Sequence, residues 1–271
     1  MKKNRQWSLL FLAVFAVSAI LACTSGMKHI SFSITDEDLA IMDAYGDTAS
    51  LLDNIERSLD RSLRMEKKEQ VLRLSHHIYG STPGDRRAAL ALTRSAYLVA
   101  DVASSDEKQV AAARIGVAAA QAAGALVDSP EASYYFALNL GLVMRQQGLA
   151  ALAKLDDLKQ ALDQCQSQTG LDYGGPQRVL GMLYLKAPPW PQGMGDIDAA
   201  LELLQTAVQA YPRFPQNHIF YAEALFSEGM LEEAKHQLIS AAGDLNPEKW
   251  GPDYILIWQN QINVLMEQIE Q

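Results

Sequence analysis

The chain has 271 residues, 49% of them apolar and 20% charged, the profile of a folded protein with a core to bury rather than a disordered tail. Its formal charge is −9, and loss of the first 22 residues would remove Lys2, Lys3 and Arg5 and leave 20 basic against 32 acidic side chains. Phosphate backbones repel such a surface, which argues against a nucleic-acid partner.

The N-terminus comes first in chain order. Lys2, Lys3 and Arg5 precede an apolar run from Trp7 to Ala22 broken only by Ser8 and Ser18, the pattern of a secretory signal peptide. The run ends in Ile20-Leu21-Ala22-Cys23, which resembles the lipobox of bacterial lipoproteins. That resemblance implies cleavage after Ala22 and acylation of Cys23. Thr24 follows the cysteine where an Asp would signal retention, so the segment resembles outer-membrane sorting. An uncleaved membrane span is the competing expectation, but it needs about 20 apolar residues and this run is shorter. Several acyl chains on one cysteine would anchor the chain firmly. The expected organisation is a signal peptide over 1–22, a lipidated tether over 23–34 and one helical domain over 35–271, on the periplasmic face of a bacterial envelope.

Helix signals begin at Thr35, which with Asp38 forms a capping box ahead of Leu39, Ile41 and Met42. Asp36 to Tyr79 reads as two helices. The second carries Leu59, Leu63, Val71, Leu74 and Ile78 on one face, with Arg61, Arg64, Lys67 and Lys68 expected to face water. Gly80 to Asp85 breaks the pattern. Arg86 to Ala103 is the next helix, and Ser104 with Glu107 caps an alanine-rich one running to Val127. Alanine lets backbones approach closely, so tight packing between helices is the expectation for that segment, with a pore or groove lining as the alternative.

Ser129-Pro130 opens a further unit that runs to about Gln166. Leu140, Gly141, Gly148 and Ala153 recur in it at spacings suited to helix crossings, although Asp157 stands where an apolar residue is expected. Cys165 belongs to its second helix. With Cys23 acylated no disulfide partner remains, so a packed, inert thiol is expected. The following unit places Leu180, Gly181 and Tyr184 on its first helix and Gly195, Ala200 and Ala207 on its second. About seven extra residues lie between them, carrying Pro188, Pro189, Trp190 and Pro191. Prolines stiffen such a loop and remove backbone donors. Trp190 either serves binding or assembly there or folds back onto its own helices.

Gly195-Asp196-Ile197-Asp198-Ala199-Ala200 and Gly229-Met230-Leu231-Glu232-Glu233-Ala234 lie 34 residues apart, and Leu204 with Leu238 and Ala207 with Ala241 keep step. A 34-residue unit with small residues at fixed offsets resembles the tetratricopeptide repeat, whose helical hairpins bury their apolar faces only by stacking. The expected fold is therefore all-α, a right-handed α-solenoid of about eleven helices. Asn246-Pro247-Glu248 caps a final segment, in which Tyr254, Ile255, Ile257, Trp258, Ile262, Leu265, Met266 and Ile269 form a terminal amphipathic helix.

Enzymatic motifs are thin. Gly193-x-Gly195 lacks a third glycine and follows no strand, so it reads as a turn. Neither a phosphate loop nor a Gly-x-Ser-x-Gly elbow occurs. His76 and His77 diverge by about 100° on a helix and cannot share a metal. His218, Glu223, Glu232 and His236 could approach one another across a helix pair, but capping or solvent exposure is the simpler expectation. No catalytic residue, metal or cofactor is expected.

The stretch from Tyr173 to Phe226 contains Gly174-Gly175-Pro176, Leu180-Gly181, the proline-rich insertion, Gly195-Asp196, Ala200, Ala207 and Tyr221-Ala222-Glu223. With the alanine-rich pair from Arg86 to Val127, it resembles the T component of tripartite ATP-independent periplasmic (TRAP) transporters, over about half the chain. The resemblance implies a lipid-anchored scaffold that associates with a periplasmic solute-binding protein, can form a trimer around a central pore and helps deliver a small apolar ligand. The alternative is a scaffold lipoprotein for outer-membrane or pilus assembly.

Overall fold

The computed structural model describes residue 30 and residues 32–122 and 129–271. Ala22, Cys23, the tether up to residue 29 and the expected helical continuation to Val127 lie outside the described residues. Among those residues the secondary structure is helical, in thirteen α-helices. They are α1 (Asp36–Tyr45), α2 (Thr48–Ser58), α3 (Met65–Ser81), α4 (Arg86–Asp101), α5 (Asp106–Ala122), α6 (Pro130–Arg145) and α7 (Leu155–Cys165). The series continues with α8 (Gly175–Lys186), α9 (Ile197–Ala210), α10 (Pro215–Ser227), α11 (Leu231–Gly243), α12 (Pro247–Trp250) and α13 (Pro252–Ile269). A 3-10 segment, Gly148–Lys154, precedes α7. Sequence neighbours pack on one another, α4 on α5, α6 on α7, α8 on α9 and α10 on α11, and the hairpins stack as an all-α solenoid.

Local chemistry sets the boundaries. Asp38 N donates to Thr35 Oγ1 at 3.2 Å and Thr35 N donates to Asp38 Oδ2 at 3.0 Å, a closed capping box on α1. Ser129 accepts from Ala132 N at 3.2 Å ahead of the proline that opens α6. For α5 the cap is Ser105, which accepts from Lys108 N at 3.3 Å, one residue beyond the expected Ser104.

Thirteen helices replace the expected eleven at two places. Asp36 to Tyr79 holds three helices, because Gly46 takes φ 71° and ends α1 while Asp47 caps α2. Leu59 and Leu63 sit between α2 and α3, not on a helix, yet Leu59 is still buried. A turn that keeps its leucines in the core imitates helical spacing. The other addition is α12, one turn capped by Asn246 Oδ1, which accepts from the amides of Glu248 and Lys249.

Small residues let the helices meet. Ala200, Leu204, Ala207, Ala234, Leu238 and Ala241 are all buried, and Leu180 lies beside them in the core. A Cβ on Gly181 would come within 2.7 Å of Leu204 Cγ, so α8 and α9 can cross this closely only at glycine. In the alanine-rich pair, Ala111, Ala112, Ala113, Ala119 and Ala120 are buried. Four positions differ from the expected crossings. Ala153 is exposed in the 3-10 segment, and Leu158, Ala161 and Leu162 fill the core in its place. Gly141 has open space rather than a helix beside its α-carbon. Gly229 is exposed at φ 75° and serves the turn between α10 and α11. Gly195 packs on the backbone of Ala187 and Pro188 within its own loop rather than on a helix. Gly148 opens the 3-10 segment, and Tyr184 packs at the edge of the core that contains Leu180.

At the C-terminal end α13 lays Tyr254, Trp258, Ile262 and Leu265 against α10 and α11. A cap of this kind covers the apolar face that the last hairpin would otherwise expose. Cys165 is fully buried, donates its S–H to the Leu162 carbonyl at 3.2 Å and has its thiol pushed up by burial to about 12, so it is inert at neutral pH.

Candidate functional site

Three features could carry function: the proline-rich loop, a cavity between the helices, and a largely buried cluster of charges beside that cavity. The loop leaves α8 at Ala187 and is pinned at its base. Gly195 N donates to the Pro188 carbonyl at 2.8 Å, Asp196 N to the Tyr184 carbonyl at 3.1 Å, and Gln192 and Gly193 both donate to the Pro189 carbonyl. Above that base Trp190 is 84% exposed, so it does not fold back onto its own helices. Pro189 and Pro191 beside it are exposed as well, while Pro188 turns inward.

Pro188 and Ala187 form part of the rim of a cavity of about 590 Å³. Its walls come from α6, α7 and α8, with Leu142, Met144, Leu155, Leu158, Val179, Met182 and Leu183, and it is completed by Phe220 of α10 and Gln261 of α13. Gly141 lies in this wall, which explains the open space beside it. The size and the mostly apolar lining are those of a small-molecule site.

Beside the cavity, Asp172 accepts from Arg61 Nε at 3.0 Å and Arg61 Nη2 at 2.7 Å, from Arg178 Nη2 at 2.7 Å and from the Tyr134 hydroxyl at 2.5 Å. Asp101 accepts on one oxygen from Arg61 Nη1 at 3.3 Å and from the hydroxyls of Tyr97 and Tyr254, each at 2.8 Å. Asn217 links Arg178 to the Ala207 carbonyl. Burial alone would push the Asp172 carboxyl up, but the charges of Arg61 and Arg178 outweigh it and hold it below the ordinary range. The same pairing, against the opposing effect of burial, keeps Arg61 charged. The chain bends to build this arrangement: Asp172 and Tyr173 take φ values of 48° and 56°, uncommon for residues other than glycine. Tyr173 then stacks on Phe214 with ring centroids 4.9 Å apart.

The cluster joins distant parts of the sequence. Arg61 follows α2, Asp101 ends α4, Asp172 precedes α8 and Tyr254 belongs to α13. Lys68 of α3 adds a bond to Asp253 at 3.1 Å. Gly251 lies so close to the carbonyls of Arg61 and Ser62 that a Cβ there would come within 2.9 Å of both. The amino-terminal helices and the carboxy-terminal cap thus meet beside the cavity. Arg61 and Lys68 were expected to face water, and both are buried. Arg61 lies on a turn rather than a helix, and Lys68 points at the C-terminal cap, 185 residues away in sequence.

Residues 193–248 match the family model described as tetratricopeptide repeat. Over those residues the chain is similar to the tetratricopeptide repeat. The match spans the loop end, α9, α10 and α11, the segment in which the 34-residue spacing lies. Comparison with curated proteins finds no match. Such repeats generally hold other proteins, and the remaining polar residues fit a scaffold. His218 is buried and saturated, with Nδ1 on Gln237 Oε1 and Nε2 on the Pro212 carbonyl, each at 2.7 Å, so it neither caps a helix nor faces solvent. Glu223 pairs with Lys186, and Glu232 and His236 are exposed. Sequence reasoning found the loop but missed the charge cluster, since Arg61, Asp101, Asp172, Arg178 and Tyr254 share no local motif.

Proposed function

We propose that this chain is a lipid-anchored scaffold that presents its proline-rich loop to a periplasmic solute-binding protein of a transporter and admits a small apolar ligand into its cavity. The observation that carries the reading is the position of Trp190, exposed on a pinned loop whose base forms the rim of the apolar cavity. An aromatic anchor on a rigid support forfeits little side-chain entropy when a partner covers it. The short tether supports the reading. Ile30 and Phe32 pack beside the buried face formed by Leu72, Ala112 and Val143. Ile30 comes seven residues after Cys23, a reach of at most about 25 Å, so acylation would hold the body close to the bilayer.

Envelope fractionation with affinity capture tests this. Wild-type chain should sediment with membranes and retain a solute-binding protein, and Cys23→Ala should move it to the soluble fraction. Recovery of outer-membrane barrels or secretins in place of a solute-binding protein would sink the transport reading and leave an assembly scaffold.

A further inference from the structure

The charged side chains that line the cavity are Asp101, Arg145, Arg178 and Lys186, and they differ in what neutralises them. Asp101 accepts from Arg61 and from the hydroxyls of Tyr97 and Tyr254. Arg178 is 2% exposed and bonds to Asp172, and Lys186 pairs with Glu223. Arg145, the last residue of α6, is different. It is exposed, and its bond is to a neutral amide, with Nη2 donating to Gln109 Oε1. Gln109 is itself buried and fixed, because its Nε2 donates to the Ala100 carbonyl at 3.1 Å. A relay from α4 through α5 thus holds the guanidinium at the cavity wall, and no carboxylate among the described residues pairs with it. A guanidinium has five N–H donors, so those beyond the Gln109 bond are open to a guest.

The same wall is otherwise apolar, with Leu142, Met144, Leu155, Val179 and Met182. A held cation beside such a chamber complements a molecule that carries one negative group on an apolar body. A carboxylate fits the guanidinium fork with two parallel hydrogen bonds, each about twice as strong as one between neutral groups. A cationic guest would meet Arg145 as a like charge. Resting on the reading of this cavity as a ligand site, we infer that its occupant is a single-chain carboxylate amphipath, with its apolar body along α6, α7 and α8 and its head on Arg145. A volume of about 590 Å³ admits a guest of drug-like size.

Calorimetric titration of the full-length Cys23→Ala chain tests the assignment with three probes of one chain length. Decanoate should bind at least tenfold more tightly than decylammonium and at least threefold more tightly than decan-1-ol. Arg145→Gln should weaken decanoate at least tenfold and leave decan-1-ol within threefold, and Arg145→Glu should reverse the order in favour of decylammonium. Arg145 is exposed, so neither variant disturbs the core, and helical circular dichroism checks that each folds. Met182→Trp, which fills the chamber, should block every probe and so place binding in the cavity rather than on the apolar run near the N-terminus. Decanoate binding that is unchanged in Arg145→Gln overturns the inference. So does tighter binding of decan-1-ol or decylammonium to the parent chain, binding that survives Met182→Trp, or failure of all three probes. If no probe binds while the solute-binding protein is still captured, the inference falls and the scaffold stands. If decanoate binds through Arg145 and no such protein is captured, the reverse holds.

Discussion

Arg61 is 8% exposed and touches one buried and one partly buried carboxylate and three aromatic rings, with its guanidinium 4.9 Å from the Tyr254 centroid. Removing one member of a buried pair strands the other in a poorly solvated site. Arg61→Ala should therefore destabilise the chain by about 3 to 5 kcal/mol, whereas Lys67→Ala, which breaks an exposed pair with Glu37, should change stability by less than about 1 kcal/mol. Denaturant midpoints with unchanged slopes check both. Asp38 offers a pH test. Burial pushes its carboxyl up, but bonds from Arg73 and Thr35 prevail and bring it to about 2 from 3.8. The unfolded chain then binds a proton at higher pH than the folded one. The stabilisation is complete above about pH 4 and is lost as pH falls toward 2, an effect of about 2 kcal/mol. Asp38→Asn should flatten that part of the stability profile, and an unchanged acid limb would contradict the assignment. Neither role was legible in the sequence beyond the capping box of Thr35 and Asp38. Arg61 and Lys68 look like residues of a solvent face because their partners stand 40 or more positions away.

At the scale of elements, the repeat spacing revealed the crossings that lie inside it. Ala200 and Ala234 have no exposed surface, so a larger side chain has no room. Ala200→Leu or Ala234→Leu should overpack α9 or α11 and destabilise by about 1 to 3 kcal/mol, and unchanged melting would refute the register. Inside the matched segment Gly195 and Gly229 serve a loop and a turn rather than crossings, and outside it the spacing fails at two further positions for physical reasons. Ala153 falls in a 3-10 segment whose geometry displaces the helical face, and the core passes to Leu158 and Leu162. Gly141 occupies the small-residue position of its unit, but there the neighbouring helices part to form the cavity. The α2 to α3 boundary was hidden because Leu59 stays in the core through the turn. A cavity formed where six helices converge leaves no local trace at all, whereas the loop was legible as an insertion rich in proline.

At the scale of the molecule, an open solenoid has only nearest-neighbour contacts, and its ends unfold independently. This one is tied across itself by Arg61, Asp172, Asp101 and Tyr254, and Lys68 bonds to Asp253 on the terminal cap. Arg61→Ala should raise amide exchange in α13 as well as around α2, and loss of protection confined to the α2 segment would contradict the clamp. A closed body holds the cavity walls and the Trp190 loop in fixed relation, as a docking platform requires. The partner surface is tested by affinity capture from solubilised envelopes with wild-type and Trp190→Ala chains side by side, with melting temperature measured on each. The solute-binding protein should be retained by the wild type and lost by at least about tenfold in the variant at an unchanged melting temperature. Equal capture by both chains, or a variant that loses its partner only because it melts early, would contradict a scaffold that binds through this loop.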